Sequence, residues 1–288
     1  MTLNFAFCLL IFEFVFMRIL FFGDVFGRIG RSGLIKVLPK LKKRFQPDLI
    51  IANVDNLAHG KGATVKTLRQ MLDAGVDCFT SGDHFWSKKE GLKKIVEAKI
   101  PIVRPANFFS RLAGARYLIF KHKNKKILLL NLMGRTFSKH QDEKGKSKLA
   151  NPFIAADKIL KQFPSIKIKL VDFHAEATSE KVSLGYYLDG RVSAVLGTHT
   201  HIPTADEKIL DQGTAYITDL GMVGPKDSVI GVKKEIILDR FLHNVFTGSI
   251  NMQIPKNGPV VINGVCLDID EKTGRAKMIK RINVETKV

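Results

Sequence analysis

Short apolar runs in this chain repeatedly end on residues able to hold a metal ion, and that recurrence constrains the fold more than any other feature. Residues 19–22 run into Gly23-Asp24, 49–54 into Asp55-Asn56, and 76–80 into Ser81-Gly82-Asp83-His84. Residues 166–173 run into His174, and 192–196 into Gly197-Thr198-His199-Thr200-His201. Stretches with helical spacing separate these runs. Residues 64–74 carry Val65, Leu68, Met71 and Leu72, with Gly75 as a stop. Residues 34–45 follow a loop containing Gly27 and Gly30, with Pro39 a kink, and 88–98 and 179–188 complete the set. Buried strands alternating with helices predict an α/β domain whose parallel sheet is covered on both faces. In such a sheet the C-terminal strand ends share one edge, where loops gather a site. Residues distant in sequence then meet in one crevice.

The middle of the chain differs. Residues 117–120 and 127–132 flank a polar turn and predict an antiparallel hairpin. Residues 135–148 are polar and charged and predict a loop. Residues 152–163 predict a helix with Asn151 as cap and Pro152 in its first position. A strand over 215–218 and a terminal hairpin of 260–269 with 276–282 follow. No repeat, low-complexity segment or linker is visible, so residues 17–288 are expected to form one compact domain. Residues 1–16 stand apart. They are nearly all apolar, but lack a basic start and a small-residue cleavage site. Glu13 and Arg18 interrupt any span, and a charge at mid-bilayer costs about 3 kcal/mol. Met17-Arg18-Ile19-Leu20 reads as a natural start running into a strand. The preferred reading of residues 1–16 is an upstream extension; the alternative is a weak membrane anchor.

Composition narrows the class. Apolar residues are 45% and charged residues 25%, which excludes a disordered or polytopic membrane chain. Cys8, Cys78 and Cys266 form no CxxC pair, so no disulfide framework is expected and a reducing cytoplasm is the default. The net charge of +19 suits a polyanionic partner, but the Lys and Arg are dispersed and not interleaved with aromatics.

At the strand ends, carboxylates, an amide oxygen and imidazoles form a mixed oxygen and nitrogen set that suits Fe, Mn or Zn better than Ca or Mg. The set exceeds what one ion can use; two ions about 3.5–4 Å apart, sharing a carboxylate, would use it all. Each residue alone has a bland reading, since an Asp after a strand is usually a cap or turn residue. Five strand ends carrying ligand-type residues together weaken that reading. His199 and His201 point the same way only on an extended backbone. His59, His122, His140 and His243 fit no such pattern.

The segments Gly23-Asp24-Val25-Phe26-Gly27, Asn53-Val54-Asp55-Asn56, Gly82-Asp83-His84, residues 172–181 and residues 197–201 resemble the calcineurin-like metallophosphoesterases, most closely their YmdB-type branch. Arg104-Pro105-Ala106-Asn107-Phe108, Gly134-Arg135-Thr136-Phe137 and residues 218–222 resemble that branch too. The resemblance implies a four-layer αββα sandwich, a dinuclear centre and hydrolysis of cyclic nucleotides (2′,3′ or 3′,5′) or related phosphodiesters. Carried over by position, it implies Asp24, Asn56 and His201 on one metal, and Asp83, His174 and His199 on the other. Asp55 would bridge them, and His84 would give a proton to the leaving oxygen. The cations would be divalent or mixed-valence, Fe or Mn first and Zn next, with in-line attack by a metal-bound hydroxide. The expected partners are a phosphodiester small molecule or RNA ends and further copies of this chain, with no stable membrane partner.

Three departures stand out. Phe26 replaces the His that the wider superfamily carries, Asp55 replaces the branch's usual Glu, and Asp83 replaces its usual Asn. Two rivals exist. Amidohydrolase barrels and metallo-β-lactamase folds also use HxH, but neither places it as at His199, and the latter wants HxHxDH where Ile202-Pro203-Thr204 follows His201. The other rival is a basic, metal-stabilised RNA-binding or regulatory protein with little or no turnover.

Overall fold

The computed structural model describes residues 16–87, 89–108, 113–138, 148–244 and 253–288. Residues 1–15, nearly all of the predicted extension, lie outside the described residues, as do His140 and most of the loop predicted over 135–148.

In chain order, β1 (Phe16–Val25), α1 (Gly27–Phe45), β2 (Leu49–Asn53), α2 (Val65–Asp73), β3 (Cys78–Thr80) and α3 (Lys89–Glu97) form the first half. The hairpin β4 (Tyr117–His122) and β5 (Lys125–Met133) follows, then α4 (Pro152–Leu160), β6 (Ile168–His174), α5 (Thr178–Tyr187) and β7 (Ala194–Thr198). Next come β8 (Lys208–Ile209), β9 (Ala215–Ile217), β10 (Met222–Pro225), α6 (Lys234–Leu242) and the long hairpin β11 (Pro259–Asp270) and β12 (Ala276–Lys287).

The strands make two six-stranded sheets, ordered β12-β11-β10-β1-β2-β3 and β4-β5-β6-β7-β9-β8. Within the first, β1, β2, β3 and β10 are parallel; within the second, β5, β6, β7 and β9 are. Antiparallel strands close one edge of the first sheet and both edges of the second. The single parallel sheet read from the sequence is therefore two mixed ones.

Alternation along the strands explains the layers. Ile19, Phe21, Leu49 and Ile51 of the first sheet pack with Ile127, Leu129, Leu170 and Leu196 of the second in one core between the sheets. Leu20, Phe22, Ile50 and Ala52 turn the other way, onto Leu34, Leu38, Leu68 and Met71 of α1 and α2. Leu128, Leu130, Val171 and Phe173 turn outward onto Ile159 and Leu184 of α4 and α5. Three cores separate four layers, which is the αββα sandwich.

Two further departures concern α1 and residues 101–103, whose sequence, Pro101-Ile102-Val103, reads as a short strand. Helix α1 starts at Gly27, and Gly30 lies in its first turns rather than in a loop. A Cβ at Gly30 would stand 2.2 Å from the Val223 carbonyl oxygen, so glycine is what lets α1 close onto β10. Residues 101–103 make only isolated bridges, Phe79 with Ile102 and Val103 with Ala115.

Candidate metal centre

Parallel β1, β2 and β3 and parallel β6 and β7 end at the same end of the sandwich, and the loops leaving them bring all eight sequence-predicted residues together. Asp24 is the last but one residue of β1, and His174 the last of β6. Asp55 and Asn56 follow β2, Asp83 and His84 follow β3, and His199 and His201 follow β7. The centre straddles the two sheets, which is why no single stretch of sequence contains it.

The distances are short. His174 Nε2 lies 3.0 Å from His199 Nδ1, 3.4 Å from Asp83 Oδ1 and 3.6 Å from Asp55 Oδ2. His201 Nε2 lies 3.3 Å from Asn56 Oδ1 and 3.9 Å from Asp24 Oδ1. Asp24 Oδ1 also lies 3.9 Å from His174 Nδ1. The backbone N–H of His84 donates to both Asp55 carboxylate oxygens at 3.1 Å, and its Nδ1 stands 2.9 Å from Asp55 Oδ2 and 2.8 Å from Asp83 Oδ1.

The expected reason for the convergence of His199 and His201 fails. Neither continues an extended strand: φ is 104° at His199 and 67° at His201, both in the left-handed region. Such backbone costs of order 1–3 kcal/mol per residue and persists where surrounding contacts over-determine it. Here the His199 N–H donates to Asp24 Oδ2 at 3.0 Å, and the Met222 N–H donates to the His201 carbonyl at 2.9 Å. Gly82 makes room in turn: a Cβ there would meet the His174 ring at 2.3 Å. Phe26, which stands where the superfamily has a His, packs edge-on against the His201 ring with centroids 5.4 Å apart.

Charge in the cluster is poorly balanced. Burial works against charge on His174, but Asp83, Asp55 and Asp24 overcome it and hold its imidazole up at about 9. His84 is likewise opposed by burial, yet Asp55 and Asp83 push it up to about 10. Burial, and then the neighbouring charge of His174, press His199 down to about 3. Burial raises Asp55 above the usual carboxylate range, whereas the bonds and charges of His174 and His84 outweigh burial and hold Asp83 far below it. The carboxylates thus draw positive charge onto His174 and His84, as they would draw cations. Asp24 Oδ1 is buried with no hydrogen-bond donor, and Asp83 Oδ1 has near nitrogens but no well-directed hydrogen bond. Orphaned carboxylate oxygens facing imidazole nitrogens fit a cation site. Asp83, His174 and His199 form one candidate metal group, and Asp55, Asp83 and His84 a second that shares Asp83.

Behind the centre stands a network that the sequence reading did not assign. Buried Asp172 accepts from Asn53 Nδ2 at 2.8 Å and from Thr198 Oγ1 at 2.7 Å, and Thr198 Oγ1 lies 3.0 Å from His174 Nδ1. Burial pushes Asp172 up to about 6. Lys181 of α5, fully buried, donates to the Thr198 carbonyl at 2.8 Å and to Asp219 Oδ2 at 2.6 Å. Asp219 also accepts from the N–H groups of Thr200 and Gly221. Glu176 Oε2 lies 3.0 Å from His199 Nε2. A signal for part of this was present: Asp172 and Asn53 interrupt otherwise apolar strands. His59 is exposed, His122 pairs with Asp48 at 3.2 Å far from the centre, and His243 pairs with Asp239.

A 2′,3′-cyclic-nucleotide 2′-phosphodiesterase of Bacillus subtilis (strain 168) is 43% identical over 270 residues, covering 92% of this chain and 96% of that protein. The crystal structure of a novel phosphatase from Mycoplasma pneumoniae superposes with a TM-score of 0.86 at 34% identity, covering 94% of each chain. That of a hypothetical protein from Thermus thermophilus gives 0.83 at 37% identity, covering 93% of this chain and 99% of the other. The family described as YmdB-like protein matches residues 20–282, and the chain belongs to it.

Proposed function

We propose that this protein is a metal-dependent phosphodiesterase that opens 2′,3′-cyclic nucleotides. The single observation that carries the reading is the approach of the His174 and His201 imidazoles, from the second sheet, to within 3.9 Å of Asp24 Oδ1 of the first, a buried oxygen with no donor of its own. The B. subtilis relative's activity supports the substrate class.

Asp24, Asn56 and His201 would hold one cation, and Asp83, His174 and His199 the other, with Asp55 between them. Transition metals, Fe or Mn first and Zn next, match the mixed donor set. Bound there, two cations would offset the phosphate's charge and strengthen a water as nucleophile. The chain's own residues do the rest. His84 Nδ1 is engaged by Asp55 and Asp83, so Nε2 is the nitrogen left to give a proton to the departing oxygen. In the metal-free protein the two carboxylates push that imidazole up to about 10, the direction that favours the proton-carrying form of an acid. Thr198 fixes the His174 ring from behind through Nδ1, the usual arrangement for a ligating imidazole. Hydrolysis of the 2′ ester leaves a nucleoside 3′-phosphate.

The test is elemental analysis of the purified protein, followed by turnover of 2′,3′-cyclic and 3′,5′-cyclic nucleotides with Mn²⁺ or Fe²⁺ added and the products resolved by chromatography. Metal at two ions per chain with a nucleoside 3′-phosphate as product is expected. Absence of bound metal, or of turnover on every phosphodiester, would overturn the reading.

A further inference from the structure

We infer that Phe137 is the nucleobase-binding platform of this site, a subsite for the aromatic base of the substrate; this rests on the functional reading above. Phe137 helps line a small pocket of about 60 Å³ together with Asp83, His174 and His199, beside Thr136 and Glu176. Its side chain is 82% exposed, and its backbone is left-handed, with φ at 60°. An exposed phenylalanine is ordinary by itself, and so is an occasional positive φ. Here the exposed ring stands at the rim of the candidate metal centre, where a stacked aromatic ligand would cover it.

The segment that presents Phe137 is built rather than loose. It leaves β5 at Met133, and the Gly134 N–H donates to the His174 carbonyl at 3.0 Å. A Cβ at Gly134 would lie 2.5 Å from the Ala175 Cβ, so the chain passes as close to the His174 loop as glycine permits. Glu180, in the first turn of α5, then clamps the next two residues. Its carboxylate accepts the Arg135 N–H at 2.9 Å and the Thr136 N–H at 3.1 Å. The Ser138 N–H closes the turn onto the Arg135 carbonyl at 3.1 Å. The ring is thereby held beside the place where phosphate would bind.

The chemistry of the platform defines its ligand. A phenyl ring offers a π-face and no donor or acceptor, so it stacks on any base without reading its edges. It would favour purines over pyrimidines through larger overlap. The subsite thus accounts for recognition of a nucleotide, which the metals and His84 alone would not distinguish from any small cyclic phosphodiester.

The experiment compares the wild type, Phe137→Ala and Phe137→Tyr, each loaded with Mn²⁺, on adenosine 2′,3′-cyclic phosphate and on base-free methyl ribofuranoside 2′,3′-cyclic phosphate. For Phe137→Ala, KM for the adenosine substrate is expected to rise about five- to tenfold, the lower end of base–aromatic stacking. Its kcat should stay within about twofold, the base-free substrate should be unaffected, and Phe137→Tyr should restore KM. Calorimetric binding of adenosine 3′-phosphate should weaken by the same factor, a readout that needs no turnover. Equal losses on both substrates would assign Phe137 a structural role and overturn the inference, as would no change on either. Failure of the wild type to hydrolyse either cyclic substrate would instead sink the functional reading, and the calorimetric comparison would still decide whether the base meets Phe137.

Discussion

Two buried polar clusters lie side by side at the C-terminal end of the sheets, and they solve the problem of burial in opposite ways. In the one around Lys181, both charges find partners: Lys181 meets Asp219 and the Thr198 carbonyl, and Asp219 is filled by two backbone N–H groups. In the one around His174, three carboxylates crowd four imidazoles, Asp24 Oδ1 has no donor, and two histidines carry left-handed backbone. A paired buried ion set holds structure in place, whereas an unpaired one persists because something else completes it. The contrast separates positioning from chemistry in a site where both are made of the same residue types.

The largest difference should appear in Asp55→Ala. Asp55 reaches His84 and lies within 3.6 Å of His174, so its loss disturbs both candidate metal positions. Turnover should fall by about 10³-fold or more, the several kcal/mol that cation stabilisation supplies, and metal content should drop below two per chain. Asp24→Ala should mainly weaken one ion. Two metals retained at normal affinity in Asp55→Ala would remove Asp55 from the bridge.

Lys181→Ala should act on stability instead. It leaves Asp219 buried and short of its cation, which typically costs 3–5 kcal/mol, about the upper end for a single substitution. The denaturant midpoint should fall at unchanged slope, while metal stoichiometry per folded chain stays as in the wild type. A variant that folds normally but loses its metals would erase the distinction between the two clusters.

The same contrast explains what could be read without a structure. Runs such as residues 49–54 and 192–196 are apolar enough to announce strands, and that reading holds; the polar residues at their ends come together at one end of the sandwich. What escaped needed neighbours in space. Gly30 looked like loop because local propensity knows nothing of the Val223 carbonyl that makes glycine necessary there. Strand β10, with Gly224 and Pro225 in four residues, exists because β1 and β11 flank it. Lys181 sits in a helix like any surface lysine, and only the packing of α5 on β7 buries it. The candidate ligands stood out because five strand ends carry such types together; their supports did not, because no comparable recurrence marks them.

A smaller effect separates the clusters by pH in the metal-free protein. His174 and His84 stand at about 9 and about 10, above an unfolded value near 6.5. A raised folded value stabilises fully below the unfolded one, and that contribution is lost as pH rises through the folded value. His199, held near 3, works in the opposite sense and removes stability as pH falls below about 6.5. Chelator-treated protein should therefore be most stable near neutrality and lose stability between pH 7 and 10. Denaturant midpoints across that range test it, and a flat profile would show that the histidines do not carry charge in the folded protein.

The smallest effect, and the sharpest probe of the unpaired cluster, is expected from Asp83→Asn. Asp83 Oδ1 faces His84 Nδ1 at 2.8 Å and His174 Nε2 at 3.4 Å, so one carboxylate serves a candidate metal position and the proposed acid together. Asn keeps an oxygen there and removes the charge. Two consequences share one sign. With less negative charge near the cations, the nucleophilic water ionises at lower pH, since hydroxide is favoured by net positive charge. With one of its two carboxylates gone, His84 also gives up its proton at lower pH. Both limbs of the rate profile should move down, by about half to one pH unit, or roughly 0.7–1.4 kcal/mol. Metal affinity should weaken at the same time. NMR titration of the His84 ring in the metal-free variant reads the second consequence alone. A lowered His84 value with an unmoved rate profile would show that neither the acid nor the nucleophile controls turnover. A profile moved only on its alkaline limb would place Asp83 with His84 and away from the metals.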